Sequence, residues 1–283
     1  MPETIPQIDV VDTLAGIPAS DWNRIAGGDP FLSHEFLTAL HDTGCASSKA
    51  GWTPQFLLLR SNGTLAGAMP LYLKTHSYGE YVFDWAWADA YHRHGVAYYP
   101  KLVAAIPFTP VWGRRLLAET DDERDLLIEA ALELARQLRV SSLHCLFATP
   151  EETQRMVARG MMPRTTVQFH WANRGYGSFE EFLSDFSHDK RKKVRQERRK
   201  VTDAGVRFKW LEGGDIGERD WAFFNRCYRQ TYREHHSTPY LNLEFFQRVG
   251  RTMPRHFIMI VAERDGTPIA ASLNVRDSNR LCG

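Results

Sequence analysis

The chain carries one pattern twice. Asp21-Trp22, Pro30-Phe31-Leu32-Ser33-His34-Glu35-Phe36 and an apolar run closed by Asn62-Gly63-Thr64 come first. Asp220-Trp221, Pro239-Tyr240-Leu241-Asn242-Leu243-Glu244-Phe245 and an apolar run closed by Asp265-Gly266-Thr267 follow in the same order. The offsets are 199 (220 − 21), 209 (239 − 30) and 203 (265 − 62), a drift that loop insertions account for. Such a period is too long for a solenoid and suits two copies of one domain. Units at 1–172 and 173–283 are therefore expected, with a junction at Asn173-Arg174-Gly175-Tyr176-Gly177 where the pattern breaks. On the offset of 203, Gly283 falls opposite Glu80, whereas the first copy runs on to about Trp171. The second unit is thus expected to be truncated by about 90 residues (171 − 80). That leaves its hairpin with a bare edge and an uncovered apolar face.

Hydrophobic residues make up 43% of the chain and charged residues 24%, values of an ordinary globular protein. The formal net charge is +1, but Lys190 to Lys200 holds eight basic residues and one Glu, a local +7 against −6 (1 − 7) for the remainder. Cys45, Cys145, Cys227 and Cys282 are scattered without a Cys-x-x-Cys pair, which argues against a zinc ribbon or disulfide scaffold and fits a reducing compartment. Met1 to Asp21 has no basic stretch leading into an apolar one, and no apolar run is long enough to span a bilayer. A cytoplasmic location is expected.

Hydrophobic periodicity predicts strands at 7–14, 81–87, 142–148 and 165–171, hairpins at 56–73 and 257–275, and a further strand at 206–211. Helices are predicted at 19–26, 31–41, 121–138, 151–159, 179–186, 190–201, 220–235 and 243–250. This alternation reads as a mixed α/β sandwich rather than a doubly wound sheet.

Several segments resemble one family. They are Pro30 to Phe36, Gly67-Ala68-Met69-Pro70-Leu71-Tyr72-Leu73-Lys74, His76 to Asp89, Tyr99-Pro100-Lys101-Leu102, Pro107-Phe108-Thr109-Pro110-Val111 and Lys190-Arg191-Lys192-Lys193-Val194-Arg195. The chain is similar to the bacterial FemAB-like proteins, predicted N-acyltransferases of peptidoglycan biosynthesis/recognition. The resemblance implies α/β tandem GNAT-like acyltransferase domains, the second incomplete here. It also implies an acyl-CoA or aminoacyl-tRNA donor and an amine acceptor on a cell-envelope precursor or small molecule.

The densest chemistry lies between Tyr78 and Lys101. In strand geometry Tyr81, Phe83, Trp85 and Trp87 share one face, while Asp84 shares the other with Val82, Ala86 and Ala88. Desolvation there would raise the Asp84 pKa and make it a base; pairing with Lys101, Arg93 or a backbone amide would keep it ionised instead. Tyr91, His94 and Tyr99 offer further proton-transfer groups, and Trp85 and Lys101 further substrate contacts. Asp84, Tyr91 and His94 are the catalytic candidates. Trp85, Tyr99, Lys101, His236 and Tyr240 are the substrate-binding candidates, although His235 beside His236 also suits a simple helix end. His92-x-His94 lacks a third ligand nearby, so no metal is expected.

Enzymes of the GNAT type cradle pyrophosphate on a Gly-rich turn that opens a helix. The nearest stretch, Pro110 to Leu117, offers Gly113 and Arg114 with one glycine where the motif wants two. Lys190, Arg191 and Arg195 are the second donor-binding candidates, for tRNA or nucleotide phosphates, with Val194 and Val201 as expected buried anchors. A plainly solvated helix face is the other reading of that run. The functional expectation is an N-acyltransferase. Its rival is a catalytically inactive GNAT-fold protein that recruits RNA or an anionic surface through the basic helix.

Overall fold

Residues 6–283 are described by the structure, a computed structural model; Met1 to Ile5, where the expected first unit begins, lie outside the described residues. Strand β1 (Gln7–Val11) leads to helix α1 (Ala19–Ala26), which Gly27 closes in the left-handed conformation. Helix α2 (His34–Asp42) starts where the Ser33 hydroxyl accepts from the Phe36 amide. Strands β2 (Trp52–Pro54), β3 (Phe56–Ser61) and β4 (Thr64–Met69) follow, β3 and β4 as a hairpin. Asn62 and Gly63 both take positive φ at its turn, as the twist of a two-residue hairpin demands.

Pro70 has no N–H to give and ends β4, so the expected single strand 65–73 is split. The chain crosses into β5 (Leu71–Lys74), which belongs to a different sheet. Next come α3 (Trp85–Arg93), β6 (Lys101–Ala104), β7 (Leu117–Ala118), α4 (Asp121–Gln137), β8 (Leu143–Cys145) and α5 (Pro150–Ala158). A reciprocal Thr120–Glu123 capping box starts α4. Helices α6 (Phe179–Ser184) and α7 (His188–Asp203) precede β9 (Val206–Glu212), α8 (Glu218–Glu234), α9 (Leu243–Thr252), β10 (Phe257–Arg264), β11 (Thr267–Arg276) and β12 (Leu281–Cys282).

The strands form three four-stranded sheets, ordered β1-β3-β4-β7, β2-β5-β6-β8 and β12-β11-β10-β9. Helix α4 lays Leu127, Ile128, Ala131 and Leu134 on Leu57, Leu59 and Met69 of the first sheet and Leu71 and Leu102 of the second. A second core runs from Trp22, Phe36 and Phe56 to Trp221, Phe245 and Phe257 and so joins the two ends of the chain.

Two sheets share a pattern in detail. β1 pairs with β3 and β3 with β4, all antiparallel; β9 pairs with β10 and β10 with β11 in the same way. Bulges interrupt β3 after Leu59 and β10 after Ala262, an offset of 203 (262 − 59). Asp265 and Gly266 repeat the positive φ of Asn62 and Gly63. Asn242 caps α9 from Phe245 as Ser33 caps α2 from Phe36. Helices α2 and α9 pack against each other. Phe36 and Phe245 stack edge to face at 5.5 Å. Ser33 reaches Met253 at the end of α9, and Asn242 donates to the Thr43 carbonyl at the end of α2.

Two expected strands are absent. Tyr81–Trp87 is not a strand: Trp85 opens α3, where alternating alanines favour a helix over the apparent period of two. Residues 165–171 form no ladder, and residues 161–174 have no regular structure. Phe169 is 99% exposed there. Alternating side chains make a strand only where a neighbour accepts the backbone hydrogen bonds. In α7, Val194 is half-buried and Val201 exposed, so neither is the buried anchor expected.

Candidate functional site

Antiparallel pairing of β5 with β6 sets Lys74 directly opposite Lys101. Both side chains are fully buried, an arrangement that costs several kcal/mol per ion unless opposite charge is supplied. The connection from Thr75 to Asp84 supplies it. Lys101 Nζ donates to Asp84 Oδ2 at 2.5 Å, Glu80 Oε2 at 2.9 Å and Ser77 Oγ at 2.9 Å. Asp84 Oδ2 also accepts from the Tyr98 hydroxyl at 2.7 Å and from Ser77 at 2.9 Å. Because the one Ser77 proton goes to Asp84 and Lys101 has nothing to accept with, Tyr99, 2.7 Å away, must be the donor to Ser77. Lys74 Nζ donates to the Tyr78 carbonyl at 3.3 Å and lies 3.7 Å above the Trp52 ring. Glu80 Oε1, Asp84 Oδ1 and Trp52 Nε1 are buried without a partner among the described residues.

These contacts set the charges. Burial alone would push the Asp84 carboxyl up, but hydrogen bonds from Lys101 and Tyr98, the Lys101 charge and the Ser77 bond hold it below the usual carboxylate range. Of the two readings open in the sequence, the paired and ionised Asp84 is the one this geometry favours, with Lys101 as its partner, and the desolvated base is not. The residue sits at the N-cap of α3 with its carboxylate turned into the cluster rather than on an apolar strand face. Glu80 goes the other way: burial raises it against the pull of Lys101. Burial lowers Lys74 to about 7, opposed by Glu80. His144 of β8, whose ring lies 6.2 Å from that of Tyr98, is lowered to about 4 by burial and then by Lys101, so it is neutral at pH 7.

Of the residues singled out in the sequence, Asp84, Tyr99 and Lys101 meet in this cluster. Tyr91 packs edge to face on Tyr98 at 5.1 Å and so lies one ring away. Trp85 is half-exposed and packs edge to face on Tyr78. His94 is exposed at the C-cap of α3 and makes no side-chain hydrogen bond among the described residues. Tyr240 lies where the two ends of the chain meet. It stacks on Phe108 at 4.9 Å and 13° and takes Tyr81 and Tyr232 edge to face. Tyr81, Phe108 and the nearby exposed His236 all hold positive φ, a conformation that costs a non-glycine residue about 1–3 kcal/mol and gathers at functional sites.

The Gly113–Arg114 stretch is not an open anion nest. The Gly113 amide donates to the Phe147 carbonyl, and Glu152 takes the amides of Arg115 and Leu116. Arg114 spends its guanidinium on the Ala118 carbonyl. No helix opens there; α4 begins only at Asp121. On α7, Arg191 donates to the Ser184 and Phe186 carbonyls and Arg195 pairs with Glu180, while Lys190 is exposed. Among the described residues no cluster of three or more His, Cys, Asp or Glu is placed to hold a metal, and no helix is long and apolar enough to cross a membrane.

Lys74, Ser77, Glu80 and His144 escaped the sequence reading. A lysine closing the apolar run Leu71-Tyr72-Leu73 was the available signal for the first. The others become visible only once β5, β6 and β8 are neighbours.

The sequence model of the FemAB-like proteins, described as peptidoglycan biosynthesis/recognition, matches residues 13–283. The chain belongs to the FemAB-like family. Among solved structures this FemAB-like chain is similar to the crystal structure of FemX, with 12% identity and a TM-score of 0.47 over 88% of this chain and 57% of that one. It is also similar to the C-terminal domain of a protein designated lysylphosphatidylglycerol synthetase from Agrobacterium fabrum, with 11% identity and a TM-score of 0.45 over 91% of this chain and 64% of that one. The chain thus spans less than two thirds of either. No curated protein matches it.

Proposed function

We propose that this FemAB-like chain is, or is part of, an N-acyltransferase that moves an acyl or aminoacyl group to an amine of a cell-envelope precursor or similar small molecule. It is built from tandem GNAT-like units at 1–172 and 173–283 and works in the cytoplasm. Family membership supports the class of reaction. The observation that carries the reading is the Lys101–Asp84–Glu80 cluster. Ionisable groups buried at this cost, with orphaned carboxylate oxygens, gather at sites of chemistry more than in plain cores. In transfer, the amine nitrogen attacks the acyl carbonyl carbon, loses a proton, and expels a ribose oxygen or thiolate that takes one up. Asp84 serves as counter-charge to Lys101 in the free chain rather than as the base. Tyr99, half-buried and hydrogen-bonded through Ser77 to Asp84, helps to orient the acceptor, together with Tyr91 and His94 of α3. Trp85, Tyr240 and His236 contact the acceptor, and Lys190 on the exposed face of α7 attracts the donor's phosphates.

The test supplies purified chain with radiolabelled acetyl-CoA or aminoacyl-tRNA and a panel of amines that includes peptidoglycan precursor peptides. Label should move to an amine, and Tyr99→Phe and Tyr240→Ala should slow the transfer. Absence of transfer from both donors refutes the reading. The rival is a binding protein that recruits RNA or an anionic surface. It draws on α7, which buries no residue, and on the Gly113 turn, whose amides are already used. RNA binding without turnover is its signature.

A further inference from the structure

Among the described residues one short connection supplies every hydrogen-bond acceptor of two buried ammonium groups. Ser77, Glu80 and Asp84 receive Lys101, and the Tyr78 carbonyl receives Lys74. A third buried donor, Trp52 Nε1, has no partner and faces the same connection, 3.4 Å from where a Gly79 Cβ would stand. The fit is imperfect on both sides, since Glu80 Oε1 and Asp84 Oδ1 also find no partner. Lys74, Lys101 and Trp52 stand on the regular strands β5, β6 and β2 of one sheet, whereas the carboxylates ride on an irregular strap. That strap has positive φ at Gly79 and, at a steric cost, at Tyr81. Its outer side is exposed at Tyr78, Tyr81 and Phe83.

We propose that Lys74, Lys101 and Trp52 Nε1 form a binding site for an oxyanion, a carboxylate or phosphate of the substrate, and that Glu80 and Asp84 are internal stand-ins for it. The strap from Thr75 to Asp84 is displaced when the anion binds. Two opposed ammonium groups and an indole N–H on a rigid sheet match an anion's lone pairs, and a carboxylate is the protein's own group of that charge and shape. Closure costs an incoming anion the free energy of displacing the strap, so the affinity measured is the intrinsic one scaled by the open fraction. The proposal rests on the transferase reading only in assigning the anion to a substrate.

Isothermal titration of the full chain with sodium pyrophosphate and, separately, glutarate tests it. Glu80→Gln/Asp84→Asn weakens the internal stand-ins and should tighten binding of one of the anions by about tenfold. Adding Trp52→Phe, which keeps a smaller ring beneath Lys74 and removes Nε1 with part of the indole, should reverse most of the gain. A preference for pyrophosphate assigns the site to a phosphate, and a preference for glutarate to a carboxylate. Asp84→Asn alone leaves Glu80 to balance Lys101 and is the milder variant if the double one does not fold. Reductive methylation of Lys74 and Lys101, read by mass spectrometry, should rise in these variants and be suppressed by the bound anion. The site is overturned if neither anion binds any variant, if the charge-neutralising substitutions leave affinity unchanged, or if Trp52→Phe leaves binding intact. Anion binding without acyl transfer would sink the transferase reading alone; transfer without anion binding would sink this site alone.

Discussion

Lys101→Met is the sharpest test of the buried cluster. Methionine nearly fills the same volume, so the change is one of charge. It leaves Asp84 with two hydrogen bonds, from Tyr98 and Ser77, and leaves Glu80 with none. Breaking a fully buried pair costs about 3–5 kcal/mol, because the surviving charge is uncompensated. Glu80 can escape part of that by protonating, since burial already raises its pKa, and Lys74 nearby offsets a little more. About 3 kcal/mol therefore remains, which for a chain of this size lowers Tm by roughly 5 °C. Urea denaturation followed by circular dichroism measures the loss directly. Its pH dependence separates charge from packing. In the parent, Asp84 is held below its unfolded value, so its stabilisation is present at neutral pH and lost as pH falls through the ordinary carboxylate range. In the variant both carboxyls are raised, and their penalty grows as pH rises through those raised values. The deficit must therefore be larger at about pH 8 than at about pH 5. A deficit under about 1 kcal/mol, or one that widens on acidification, would refute a charge-paired cluster.

Three further outcomes are expected. Gly79→Ala places a Cβ 2.5 Å from the Phe108 ring at a φ of +79°, and should cost about 2 kcal/mol in urea unfolding. His41 and His144 are both lowered by burial from 6.5 to about 4. Between those values the unfolded chain binds more protons, so each should withdraw about 3 kcal/mol as pH falls through that window; a flat stability profile from about pH 6.5 to 4 would contradict their burial. Phe245→Ala removes the ring that meets Phe36 between α2 and α9 and should cost about 3–5 kcal/mol, again by urea unfolding.

Much of the frame was legible in the sequence because it is written in local chemistry. Asn62-Gly63 and Asp265-Gly266 demand tight turns, Ser33 and Asn242 cap helices, and the apolar stripe of α4 repeats at helical spacing. Each of those signals is complete within a few residues. What failed were the strand assignments that needed a neighbour. The aromatics from Tyr81 to Trp87 alternate like a strand, yet no strand lies beside them, and the alanines from Ala86 to Ala90 decide for a helix. The stretch 165–171 alternates as well and stays unpaired. For Asp84 the sequence offered Lys101 as one of several partners but could not choose among them, because the choice depends on Lys101, Tyr98 and Ser77, none adjacent in sequence.

The two matching hairpins also explain why the charged cluster stands where it does. At the offset that superposes their bulges and turns, Pro70 corresponds to Leu273 (70 + 203). Leucine lets β11 run unbroken from Thr267 to Arg276, whereas proline stops β4 at Met69. The chain then turns into a second sheet, where Lys74 comes to lie against Lys101. At the position matching Lys74 the later hairpin has Asp277, bonded to Arg280, which in turn reaches Asp29 in the first half of the chain. One proline, by removing a single backbone donor from a ladder, separates a continuous strand from a redirected one. The redirected strand is what creates an opposed pair of lysines in need of counter-charge. The two hairpins thus share a local frame, and the difference at Pro70 accounts for the opposed lysines of the candidate site.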